Sequence, residues 1–77
     1  MKEEVINLII EITDYQELRN NPNVDLIEEG IIDSLAFIEL LTKLEEKFDI
    51  EIQPTQVESS VWRSIDKITE MVKNNMK

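Results

Sequence analysis

The segment DSLAFIELLTKLEEKF, residues 33–48, decides the fold. On a wheel at about 100° per residue, Phe37, Leu40, Leu41, Leu44 and Phe48 gather in an arc about 100° wide. That is a single core-facing stripe, and it predicts a helix over residues 34–48. Asp33 precedes it as a favourable N-cap residue. No capping box accompanies it, because neither Ala36 nor Phe37 can return a carboxylate or amide to the cap. The opposite face is mixed. Leu35 and Ile38 fall on it with Thr42 between them, and Glu39, Glu45 and Glu46 ring the pair. Two sizeable apolar residues inside a rim of carboxylates have the make-up of a small docking surface. The competing reading is that a loop folds over and buries them.

Working outward, residues 3–13 read as another helix. Val5, Leu8, Ile9 and Ile12 follow the i, i+3, i+4, i+7 pattern, and Ile6 and Ile10 widen the stripe. The connection over residues 14–33 holds the breaker residues Asn20, Asn21, Pro22, Asn23 and Gly30. It is long for a structureless loop in a small domain and must be pinned. Val24, Leu26, Ile27, Ile31 and Ile32 are the expected anchors. Gly30, the only glycine, marks either a positive φ or a close chain approach. Downstream, Pro54 breaks the chain, and residues 55–60 are expected to form one short helical turn. Ser64 caps a last helix near 65–75, with Asp66 in its first turn and Ile65, Ile68 and Val72 as its stripe. Trp62 reads as a core or loop-anchoring residue, Met71 and Met76 as core or frayed-end residues, and Ser59 and Ser60 as loop residues. The expected fold class is all-α: a single domain over residues 1–77, a bundle of three main helices plus one short helix, with a long loop between helices 1 and 2.

Composition narrows the chemistry. The chain has 77 residues, enough for one small core. It has no cysteine and no histidine, which removes the thiolate nucleophile, the commonest general base and the commonest metal ligands. Met1-Lys2-Glu3-Glu4 does not open a signal peptide, and no apolar run reaches the roughly 20 residues of a membrane span, so a cytoplasmic protein is expected. The net charge is −9, which disfavours nucleic acid and anionic lipid and favours basic protein partners. Residues 25–51 carry nine acids against Lys43 and Lys47, a net of −7, and the rest of the chain carries the remaining −2.

Ser34 sits where the free N–H groups and macrodipole of a helix N-terminus favour a phosphate. With no neighbouring His or Lys it is not a self-activated nucleophile. It reads as only a capping residue or as the acceptor of a phosphoester.

The run Glu29-Gly30-Ile31-Ile32-Asp33-Ser34-Leu35, continued by Glu39-Leu40-Leu41 and Leu44-Glu45-Glu46-Lys47-Phe48-Asp49-Ile50, resembles the acyl carrier protein family over essentially the whole chain. The resemblance implies that a phosphopantetheinyl transferase moves 4'-phosphopantetheine from coenzyme A onto Ser34. The thiol at the end of that arm would carry acyl or aminoacyl groups as thioesters, so the protein would be a carrier without catalysis of its own. It implies that Asp33 helps engage the transferase. It also implies that Leu35, Ile38, Glu39, Glu45 and Glu46 meet basic patches on partners: an adenylating ligase, or acyltransferase and synthase enzymes. A monomer is expected. Asn21-Pro22-Asn23-Val24-Asp25, then Glu28 through Ser34, Trp62 and Lys67-Ile68 look like the D-alanyl carrier branch, whose cargo is D-alanine for teichoic acids. Leu35 is instead as in fatty-acid carriers, and the helix of the D-alanyl branch is usually less acidic than Glu39, Glu45 and Glu46 make it here. A stand-alone carrier for fatty-acid, polyketide or nonribosomal peptide synthesis is therefore the alternative. An unmodified helical adaptor for basic partners is the alternative from another class.

Overall fold

The cap at Asp33 forms as its residue type predicts. Its Oδ1 accepts from the Ala36 N–H at 2.8 Å, and a helix, α2, runs from there over Ser34–Phe48. The computed structural model describes residues 1–76. Two more α-helices flank α2 in the chain, Lys2–Thr13 (α1) and Ile65–Asn75 (α3), and the described residues contain no strand. Ser64 Oγ accepts from the Lys67 N–H at the start of α3, the predicted cap. α1 and α2 both end on an aspartate in the left-handed region, Asp14 at φ 60° and Asp49 at φ 53°. Each donates its N–H back to the helix, to Ile10 O and Glu45 O. Aspartate visits this region more readily than most residues, so glycine is not needed at either stop. Among the described residues, no helix is long and apolar enough to cross a membrane.

The core lies where the three stripes meet. α1 contributes Val5, Ile6, Leu8, Ile9 and Ile10, α2 contributes Leu40 and Leu44, and α3 contributes Ile65, Ile68, Met71 and Val72. The α2 stripe is narrower than the wheel suggests: Phe37, Leu41 and Phe48 are only half-buried and pack along its margin. Two exposed ion pairs, Lys43–Glu11 at 3.7 Å and Lys47–Glu4 at 4.0 Å, tie α2 to α1.

Between Pro54 and Ser64 the structure departs from the expectation of one short turn at 55–60. It holds two 3₁₀ turns instead, Pro54–Gln56 and Ser59–Arg63. Glu58, extended at φ −61° and ψ 141°, separates them, and the second turn delivers Trp62 into the core.

The loop from α1 to α2 is pinned by its own folded unit. Asp25 Oδ1 accepts from the N–H groups of Ile27 and Glu28, the N-cap arrangement of a single helical turn. Gly30 closes that turn in the left-handed region at φ 70°. Its N–H reaches Ile27 O while the Ile31 N–H reaches Leu26 O, which is the Schellman pattern. Nothing lies within 4 Å of where a Gly30 Cβ would sit, so this glycine serves φ and not a close approach. Leu26, Ile31 and Ile32 are buried as expected, and Val24 is half-buried. Ile27 is exposed, contrary to its expected role as an anchor, because the turn points it outward while Leu26 takes the core position. Leu18 supplies the missing anchor: a 3₁₀ turn at Gln16–Arg19 buries it completely.

Candidate functional site

Ser34 is the first residue of α2 and is exposed, beside the exposed cap residue Asp33. Asp33 spends Oδ1 on the Ala36 N–H, and its carbonyl accepts from Phe37. The N–H groups of the first helical residues have no partner within the helix, and the macrodipole adds to their pull on an anion. An ester-linked phosphate on the Ser34 hydroxyl would therefore meet a favourable field.

An open groove of about 430 Å³ runs alongside the serine, between the start of α2 and the Ser59–Arg63 turn. Its walls are mainly apolar, formed by Ile27, Ile32, Phe37 and Trp62, with Asp33, Ser34 and Ser59 at the polar edge. Trp62 is buried and meets Phe37 edge to face, with ring centroids 4.9 Å apart and planes at 80°. The tryptophan thus anchors the turn, as its sequence position suggested, and also walls the groove. A larger recess of about 520 Å³ lies against α3 and has a mixed lining, with Gln53, Gln56, Lys67 and Glu70 beside Val57 and Met71. Neither Ser34 nor any residue of α2 borders it.

The outer face of α2 is uncovered. Leu35 is 69% exposed and Ile38 59%, so no loop folds over them. Exposed Ile27 belongs to the groove that continues from this end of the helix. Glu39 and Glu46 are exposed on the same helix. Glu45 is placed differently. It is half-buried, and its Oε2 accepts from the Ile52 N–H at 3.0 Å, holding the chain that follows the helix. Both lysines of α2 reach back to α1 through their ion pairs, which leaves negative charge to dominate the outer face.

Sequence reasoning missed the residues that fix the groove. Asp25 Oδ2 accepts from Arg63 Nη1 at 2.9 Å, and the Leu26 N–H donates to Arg63 O, also at 2.9 Å. The Glu28 N–H, more than Arg63 or the Ile27 N–H, holds the Asp25 carboxyl below its usual range against an opposing desolvation. A cap-type aspartate five residues ahead of the only glycine was the available signal for the turn. Nothing in the sequence pairs Asp25 with Arg63.

Residues 3–72 match the family model described as a phosphopantetheine attachment site. The chain belongs to that family. Its cofactor is 4'-phosphopantetheine, attached covalently, and the protein is a phosphopantetheine carrier. The site residues fit such a group. The hydroxyl is accessible at a helix N-terminus that favours phosphate, and the neighbouring groove offers apolar walls with polar edges. When bound, the group supplies a terminal thiol on a flexible arm, a group that a cysteine-free chain lacks.

Proposed function

We propose that Ser34 is the attachment residue and that the carrier presents its cargo to partner enzymes through the outer face of α2. One observation carries the reading: an exposed serine at the N-terminus of α2 lies beside an apolar groove and an uncovered acidic face. Loading would form a bond from Ser34 Oγ to the phosphorus of the pantetheine phosphate. It would break the pyrophosphate of coenzyme A and release adenosine 3',5'-bisphosphate. In this reading the serine proton goes to a base on the transferase.

Leu35 and Ile38 form the apolar centre of the docking face. Glu39 and Glu46, with Asp33 at the helix start, form its charged rim for a basic transferase, ligase or synthase. Glu45 adds charge to this face while its carboxylate also holds Ile52.

The cargo we favour is D-alanine, activated by an adenylating ligase, in a cytoplasmic pathway leading to teichoic acid esters. The segment Asn21–Asp25 and Trp62 support this choice, since they resemble the D-alanyl branch, and Trp62 also walls the groove. Intact mass after incubation with coenzyme A, Mg²⁺ and a broad-specificity phosphopantetheinyl transferase tests the attachment. One added phosphopantetheine, absent in Ser34→Ala, is the expected result. A folded protein that gains no mass would overturn it and favour an unmodified adaptor. Loading of the holo protein by a D-alanine ligase, set against an acyl transferase, then tests the cargo.

A further inference from the structure

Hydrogen bonds link the far wall of the groove to Ile32, two residues ahead of Ser34 in the chain. Arg63 ends the 3₁₀ turn that carries Trp62. Its side chain holds Asp25 Oδ2, and its carbonyl holds the Leu26 N–H. The Leu26 carbonyl in turn accepts from both Ile31 and Ile32, at 2.9 and 3.0 Å. Ile32 is two residues from Ser34, and Leu26 is fully buried, so this path is anchored in the core. The two sides of the groove are thereby spanned by one short linkage: Ile27 and Ile32 on one side, Ser59 and Trp62 on the other.

We infer that the Asp25–Arg63 pair is a latch that sets the width of the groove beside Ser34, which makes Arg63 a positioning residue for loading of the arm. The inference rests on Ser34 being the attachment residue. The pair is partly exposed, with side chains 47% and 33% accessible, and pairs of that kind add little to stability. Its effect lies in geometry. Asp25 Oδ1 is fully occupied in capping its own turn, so Oδ2 is free for Arg63 alone. Without Arg63 the Ser59–Arg63 turn keeps only the Leu26–Arg63 main-chain bond to this loop, and the groove can widen. A transferase then meets a less defined acceptor surface around Ser34.

The test is the steady-state kinetics of loading with coenzyme A, Mg²⁺ and a broad-specificity transferase, followed by intact mass. Asp25→Asn is the informative variant, because the amide oxygen still caps the turn while the charge facing Arg63 is lost. Arg63→Gln breaks the same contact from the other side. Each should raise KM for the carrier about threefold or more with kcat within twofold. The double variant should be no worse than either single one, and Arg63→Lys should recover part of the loss. Lys2→Gln removes a 2.8 Å ion pair to Asp66, outside the groove, and should leave KM unchanged. Near-UV circular dichroism of Trp62 gives a readout independent of activity: it should change in Asp25→Asn and Arg63→Gln but not in Lys2→Gln. Unchanged KM and unchanged Trp62 signal in both groove variants would overturn the latch, as would additive losses in the double variant. Failure of the wild-type protein to load at all would instead remove the Ser34 reading, and the latch with it.

Discussion

Asp33 carries two duties that its carboxylate can be made to separate. As N-cap it satisfies the Ala36 N–H, a contact that typically contributes about 1 kcal/mol to a helix. As an exposed charge beside Ser34 it would, in the proposed function, also engage the transferase. Asp33→Asn keeps the cap and loses the charge, so its melting temperature should stay near wild type while loading slows. Asp33→Ala should lose about 1 kcal/mol as well. Equal loading by wild type and the Asn variant would confine Asp33 to capping. Asp25 offers a pH test. Its carboxyl titrates below the usual value in the folded state, so the ionised form favours folding. That contribution is complete above the unfolded pKa near 4 and is lost as pH falls through the lower folded value. The melting temperature of wild type should therefore exceed that of Asp25→Asn at neutral pH, and the gap should close below about pH 4. A gap that persisted into strong acid would show that charge on Asp25 is not its source. Gly30 shows what sequence can leave open at this scale. Its two possible reasons were both visible, but only the empty space around its Cβ position decides between them.

At the scale of elements, α2 is a core strut and, in the proposed function, a recognition face, and substitutions should divide accordingly. Leu44 is fully buried and Phe48 only half-buried. Leu44→Ala should cost about 3 kcal/mol, and Phe48→Ala less than the roughly 3–5 kcal/mol of a fully buried phenylalanine. Denaturant midpoints that ranked them the other way would contradict this packing. On the outer face, Glu39→Lys with Glu46→Lys should cut loading about tenfold at low salt, because the sign of steering reverses. Glu45 is left out of that pair because its carboxylate also holds the Ile52 N–H, so its reversal would mix recognition with stability. A loading rate unchanged by the double reversal would remove the face from recognition. The three helices were legible because each rests on local information: a 3.6-residue stripe in all three, and a side-chain cap at the start of α2 and α3. The connections were not. Leu18 is a lone apolar residue among polar neighbours, and no periodicity marks it as an anchor. The 3₁₀ turn around Trp62 and the bond from Arg63 to Asp25, 38 residues away in sequence, depend on tertiary packing. The serine and its face were readable from α2 alone, whereas the groove needed the other half of the chain.

For the whole molecule, charge acts on stability and on encounter with opposite signs. A net charge of −9 sits on a body whose principal extents are 31 × 22 × 19 Å. At about 10 mM salt the Debye length is roughly 30 Å, so each carboxylate feels charges across the molecule; at about 0.1 M it is roughly 10 Å. The excess is not spread evenly, since residues 25–51 hold most of it and the lysines of α2 are drawn toward α1. Folding compresses this like charge, and self-repulsion works against the compact state. The few exposed ion pairs offset little of that. Added sodium chloride between 10 and 300 mM should therefore raise the melting temperature. The same screening should weaken attraction to a basic transferase, so KM for the carrier should rise over the same range while kcat holds. The two responses share one cause and should shrink together in the Glu39→Lys, Glu46→Lys variant, whose net charge is four units less negative. Calorimetry and loading kinetics on the same salt series check both. A melting temperature that falls with salt would mean that ion pairs outweigh repulsion, and a KM indifferent to salt would mean that the apolar pair Leu35 and Ile38, not the acidic rim, governs docking.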